Sequence, residues 1–78
     1  MDVVLYSTDG CPKCNEIKKG LDKKKIDYIL IHGEEAENEV IKMGYNSMPI
    51  LKVDDRIMKY PEAYNWLRKE VWYGIRAI

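Results

Sequence analysis

The residues able to do chemistry in this chain are concentrated in Gly10-Cys11-Pro12-Lys13-Cys14, which holds both of its cysteines. Two thiols with two residues between them suit reversible dithiol–disulfide exchange when an apolar run precedes them and a helix follows. Here Val3-Val4-Leu5-Tyr6 precedes, and a strongly helical sequence follows. The spacing places Cys11 at the helix N-cap, where free backbone N–H groups and the positive dipole end favour a thiolate. Such settings lower a cysteine pKa from ~8.5 into the range ~3.5–7.5. Pro12 falls at the first helical position, where its missing N–H is no loss. Cys14 lies one turn in, partly covered and within reach of Cys11 for a disulfide. Cys11 is therefore read as the attacking thiol and Cys14 as the resolving one.

Two other uses of such a pair fit less well. A zinc site needs two more good ligands, but there is no further cysteine and the single histidine is His32. No metal is expected. A purely structural disulfide across so short a loop restrains little of the unfolded chain and stabilises weakly.

These residues must be carried by one small domain spanning residues 1–78, with room for one modest core. The chain is 46% hydrophobic and 33% charged, as in soluble globular proteins. Thirteen acidic residues balance thirteen basic ones. That leaves no global field to draw in nucleic acid or a membrane surface. No apolar run approaches the ~18–20 residues that span a bilayer. Met1-Asp2 leads directly into the first strand-like run without a signal peptide, so the expected location is the cytoplasm. In that compartment a lone C-x-x-C is more often catalytic or metal-binding than structural.

Val3 to Tyr6 suits a strand buried on both faces. Ser7-Thr8-Asp9-Gly10 is turn material. Residues 12–25 read as a helix with Cys14, Ile17 and Leu21 on one face and lysines in the last turn. Gly20 weakens it by roughly 1 kcal/mol relative to alanine, and a close packing contact would explain the glycine. Asp27 to Ile31 is a second strand, parallel to the first through a right-handed crossover. His32-Gly33 ends it. Glu34 to Met43 is a second helix with Ala36, Val40 and Met43 inward and Gly44 as its cap. Ile50 to Val53 and Arg56 to Lys59 form a hairpin about Asp54-Asp55. Tyr60-Pro61-Glu62 opens a third helix, with Tyr64, Leu67, Val71 and Ile75 as its apolar stripe, Trp66 and Trp72 flanking, and Gly74 at its end. The order is βαβαββα, an α/β domain.

At this point the chain resembles a glutaredoxin, a small member of the thioredoxin-fold superfamily, over nearly its whole length. Cys11-Pro12-Lys13-Cys14 is similar to the C-P-x-C of dithiol glutaredoxins. Gly44-Tyr45-Asn46-Ser47-Met48-Pro49-Ile50 is similar to their G-x-x-[T/S]-V-P segment. The resemblance implies a four-stranded mixed sheet with three helices, no bound cofactor, and a monomer. It also implies a cis Pro49 facing the dithiol, with the first and third strands antiparallel. The substrate would then pair with the backbone of Met48 by strand addition. Pro12, Lys13, Ser47, Met48, Pro49 and Tyr60 become the substrate-binding candidates.

Two reductants remain open, glutathione and thioredoxin reductase. Glutathione-using members carry a cation where this chain has Thr8, and G-G-x-D where it has Lys59-Tyr60-Pro61-Glu62. Tyr60 to Leu67 looks more like the R-P-D-x-x-x-x-L opening of redoxins that donate electrons to ribonucleotide reductase. Their W-S-G-F segment is missing. The expectation is a dithiol oxidoreductase for protein disulfides, with ribonucleotide reductase as the candidate substrate that the resemblance implies, recycled by thioredoxin reductase. A glutathione-dependent glutaredoxin is the alternative, and a non-enzymatic adaptor or Fe–S carrier is the alternative of another class.

The remaining candidates are weaker. Lys13 is either a partner for the thiolate or an exposed helix lysine. Residues 13–25 hold six lysines and residues 34–39 four glutamates, which read first as solvated faces. His32 is expected to face solvent, remote from the dithiol. Tyr6, Trp66 and Trp72 read as packing residues.

Overall fold

The structure is a computed structural model; it describes the backbone of residues 2–76 and the side chains of residues 2–68. Its elements are β1 (Val3–Ser7), α1 (Pro12–Lys23), β2 (Ile29–His32), α2 (Glu34–Lys42), β3 (Ile50–Val53), β4 (Arg56–Lys59) and α3 (Tyr60–Arg76). The four strands form one sheet in the order β2-β1-β3-β4. β1 runs parallel to β2, and antiparallel pairing joins β1 to β3 and β3 to β4. The β1-α1-β2 crossover thus sets the parallel half, and the hairpin supplies the antiparallel half.

Strand alternation divides the core between the two faces. Val3, Leu5, Leu51, Val53 and Met58 meet Ile17 and Leu21 of α1 and Ala63 and Leu67 of α3. On the other face Tyr6 and Ile50 meet Ala36 and Val40 of α2. The glycine in α1 has its explanation here: a Cβ built on Gly20 would lie 2.9 Å from Leu67 Cδ1. A methyl group there would require the end of the Leu67 side chain to shift.

Several boundaries differ from the sequence reading for local reasons. β1 includes Ser7, which pairs with His32 and accepts the Gly33 N–H at 3.0 Å. Helix α1 stops at Lys23 because Lys25 adopts a left-handed φ of 56° and the Ile26 N–H turns back to Leu21 C=O. That closing turn delays β2 to Ile29, so Asp27 and Tyr28 fall outside it and His32 falls inside. Helix α2 ends at Lys42, where the Gly44 N–H bonds Ile41 C=O and the Tyr45 N–H bonds Val40 C=O. This is a Schellman cap, and Gly44 takes the φ of +88° that it requires. In α3 Tyr64 is 44% exposed and Ala63 takes the inward position beside Leu67. Gly74 does not end α3, which continues to Arg76. The side chains of Val71, Trp72 and Ile75 lie outside the described residues. Among those described, no helix is long and apolar enough to cross a membrane.

Candidate active site

The two thiols sit where β1 hands over to α1. Cys11 is the N-cap residue, with extended backbone (φ −110°, ψ 98°), and Pro12 opens the helix. The Cys14 N–H donates to Cys11 Sγ at 3.1 Å, and the Asn15 N–H donates to Cys11 C=O at 3.2 Å. A sulfur at this position occupies the place of a capping oxygen and meets an orphan helix N–H. A negative charge there is stabilised by the same donor and by the helix dipole. Cys11 and Cys14 are placed for a disulfide, with a Cα–Cα distance of 5.2 Å. Exposure separates the pair: Cys11 is half-buried, whereas Cys14 is only 3% exposed.

The second part of the site comes from β3. Register places Ile50 opposite Tyr6, which brings the Pro49 end of β3 beside the end of β1 that feeds Cys11. The Met48–Pro49 peptide bond is cis. Pro49 is fully buried, Met48 half-buried and Ser47 exposed. Met48 takes part in none of the loop backbone hydrogen bonds among the described residues. A groove of about 230 Å³ adjoins it, lined by Glu37, Val40, Ile41, Asn46, Ser47 and Met48. A larger hollow of about 850 Å³ lies around Asp2, Asp27, Lys52 and Asp54, at the opposite end of the sheet and away from the dithiol.

The third part is the start of α3. The Tyr60 hydroxyl donates to the Glu16 carboxylate on α1, and Lys13 Nζ stands 5.4 Å from the centre of the Tyr60 ring. The ring also stacks on Tyr64, with centroids 6.0 Å apart. The bond to Glu16, helped by partial burial, pushes the Tyr60 phenol above its ordinary value. Lys59 Nζ lies 5.7 Å from the Tyr45 ring, linking the β4–α3 junction to the loop that precedes Pro49. Lys13 and Tyr60, separate candidates in the sequence, are therefore neighbours.

His32 is not remote from the dithiol. Its ring bonds Ser7 Oγ at 2.9 Å and Asp9 Oδ1 at 2.8 Å, so it joins the end of β2 to the turn before Cys11. Sequence reasoning also missed Glu16, the acceptor for Tyr60. The signal for His32 lay in parallel pairing, which sets the last residue of β2 beside the last residue of β1. Glu16 had no such signal, because its partner is 44 residues away. Among the described residues no group of three or more His, Cys, Asp or Glu is gathered as for a metal ion.

Three helices on a four-stranded mixed sheet, with a helix-capping C-x-x-C at the end of the first strand, define a thioredoxin-like dithiol protein. The family model for glutaredoxin matches residues 3–58, and the chain belongs to the glutaredoxin family. It is 33% identical to Mycoredoxin 1 of Corynebacterium glutamicum over 80 residues, covering 99% of this chain and 96% of that protein. It is 32% identical over 56 residues to the glutaredoxin-like protein NrdH of Lactococcus lactis, covering 68% of this chain and 78% of the relative. The fold is similar to the solution structure of glutaredoxin from Brucella melitensis, with a TM-score of 0.71, 21% identity, and coverage of 96% of this chain and 87% of that one. Membership implies thiol–disulfide oxidoreductase activity in general.

Proposed function

We propose that the protein reduces protein disulfides with Cys11 as nucleophile and Cys14 as resolving thiol, and that thioredoxin reductase, in preference to glutathione, recycles it. The observation that carries the roles is the asymmetry of the pair: Cys11 is accessible and accepts a helix N–H, while Cys14 is buried. The Cys11 thiolate attacks one sulfur of the substrate disulfide, forming a mixed disulfide and expelling the other sulfur, which takes up a proton. Cys14 then loses its proton and attacks Cys11 Sγ. The substrate's second thiolate leaves, and the protein is left with the Cys11–Cys14 bridge. The substrate has gained two electrons and two protons, which the reductant must return to the dithiol. The uncommitted backbone of Met48, at the end of β3 that lies beside the end of β1, supports strand-like docking of the substrate segment.

Tyr60 supports the choice of reductant. Glutathione carries two carboxylates, and a tight site offers them a cation and free backbone donors. Here Thr8 stands where glutathione-using members carry a cation, and Lys13 is engaged with the Tyr60 ring. The ring, held by Glu16 and Tyr64, stands where those members have glycine. Pro61 removes an N–H from the helix start. The likeness of Tyr60 to Leu67 to redoxins that serve ribonucleotide reductase makes that enzyme the first protein substrate to try. The C-P-x-C form of the motif favours the second reading, a glutathione-dependent enzyme.

One paired assay decides between them. Reduction of a protein disulfide is followed with thioredoxin reductase and NADPH, and in parallel with glutathione and its reductase. Faster turnover with thioredoxin reductase is expected. Robust reduction of a glutathione mixed disulfide with no electrons accepted from thioredoxin reductase would reverse the assignment.

A further inference from the structure

One side chain ties the end of β2 to the turn that carries the nucleophile. His32 Nδ1 lies 2.9 Å from Ser7 Oγ, and Nε2 lies 2.8 Å from Asp9 Oδ1. Ser7 is buried at 6% exposure, and its carbonyl already accepts the Gly33 N–H. The neutral Nε2–H tautomer satisfies both ring contacts: Nε2–H donates to the Asp9 carboxylate, and the Ser7 hydroxyl donates to Nδ1. The imidazole therefore closes the turn of Thr8, Asp9 and Gly10, in which Gly10 takes a φ of +65°.

Asp9 is the residue that needs holding. It lies two positions before Cys11, and its side chain is 97% exposed. A short carboxylate at that place harms a nucleophilic N-cap in two ways. It competes for the same helix N–H groups, and its charge opposes a thiolate. The other charged or titratable groups at this end are Lys13 and Glu16 on α1, Glu34 and Glu35 on α2, and Lys59 and Tyr60 at the β4–α3 junction. Among the described residues the one side chain that hydrogen-bonds the Asp9 carboxylate is His32.

We propose that His32 is a positioning residue for Cys11: its two ring contacts fix the turn that presents the nucleophile and tether the Asp9 carboxylate to β2, off the thiolate. It acts through Ser7 and Asp9 without touching sulfur. The proposal concerns the ionisation of Cys11 and holds whichever reductant or substrate the protein uses.

The test is alkylation of the reduced protein by iodoacetamide across a pH series, with modification of Cys11 read by mass spectrometry. His32→Ala slows alkylation at about pH 6 by roughly three- to tenfold, the size expected when one charge comes within a few ångströms of another in a solvated site. The midpoint of the rate–pH profile moves up, while the plateau at high pH stays in place, which general loosening of the fold would not preserve. Adding Asp9→Asn restores most of the lost rate. His32→Gln, which keeps a donor for Asp9, retains most of it. An unchanged midpoint in His32→Ala overturns the proposal, and so does a slowing that Asp9→Asn fails to relieve. Circular dichroism of each variant confirms that folded proteins are compared.

Discussion

Lys13 Nζ stands 5.4 Å from the centre of the Tyr60 ring, so a residue between the two cysteines touches the first residue of α3. An exposed contact of this kind contributes about 0.5–1 kcal/mol. The phenol is further held at its hydroxyl by Glu16, and the ring stacks on Tyr64. A side chain so braced is a fixed wall beside the dithiol.

Removing the wall should therefore change which reductant is accepted. Tyr60→Gly is expected to raise glutathione-driven turnover about tenfold, equivalent to ~1.4 kcal/mol of recovered binding. It frees Lys13 for a carboxylate and lets the backbone approach the ligand. Turnover with thioredoxin reductase should not rise. Steady-state rates with both reductants check this, and an unchanged glutathione rate would show that Tyr60 is not the barrier.

The two thiols should also fail differently. Cys11→Ser removes the accessible sulfur that caps α1 and is expected to abolish disulfide reduction. Cys14→Ser leaves the attack intact and removes the resolving step, so mixed disulfides with protein substrates should accumulate and be visible on non-reducing gels. Faster alkylation of Cys14 than of Cys11 in the reduced protein at neutral pH would exchange the roles.

Much of this arrangement was legible in the chain because it is local. The cap at Cys11, Pro12 at the first helical position, the Gly44 cap and the two-residue turn at Asp54-Asp55 are each written within a few residues. The antiparallel placement of β3 beside β1 followed from the resemblance, and the register agrees with it. What stayed hidden joins distant segments. Nothing near Glu16 announces Tyr60, and His32 reaches Asp9 only through the pairing of β2 with β1. Tyr64 misled because helical spacing fits two neighbouring stripes, and the approach of α3 to α1 selected the one through Ala63.

The close approach of those helices can be tested at Gly20. In an open helix, Gly20→Ala would add about 1 kcal/mol of helical stability. Here the new methyl would sit 2.9 Å from Leu67 Cδ1, and Leu67 is 3% exposed with little room to move. Overpacking costs roughly 1–3 kcal/mol, so a net loss of about 1 kcal/mol is expected. Leu67→Val shortens the clashing branch, and the double variant should lose less than the sum of the two single ones. Urea unfolding measures all three, and a stabilised Gly20→Ala would show that Leu67 turns aside at little cost.

The tyrosines set the behaviour at alkaline pH. Burial, followed by the charge of Glu39, raises the Tyr6 phenol above its ordinary value. Burial raises Tyr28 too, reinforced by its hydrogen bond to Asp22 and by that carboxylate's charge. Tyr60 is raised chiefly by its bond to Glu16. In the unfolded chain all three return toward a pKa of about 10. Above that pH the unfolded chain gives up these protons first and binds fewer than the folded chain, so stability falls as pH rises. The contribution is fully present below about pH 10 and is lost as pH climbs through the folded values. Denaturant midpoints should therefore decline above that point, in step with tyrosinate absorbance. Tyr6 is the most informative site, since it packs at 6% exposure with Ala36, Val40 and Ile50. Tyr6→Phe keeps the ring and removes the proton, so it should make the alkaline decline shallower. An unaltered slope in that variant would remove Tyr6 from the groups responsible.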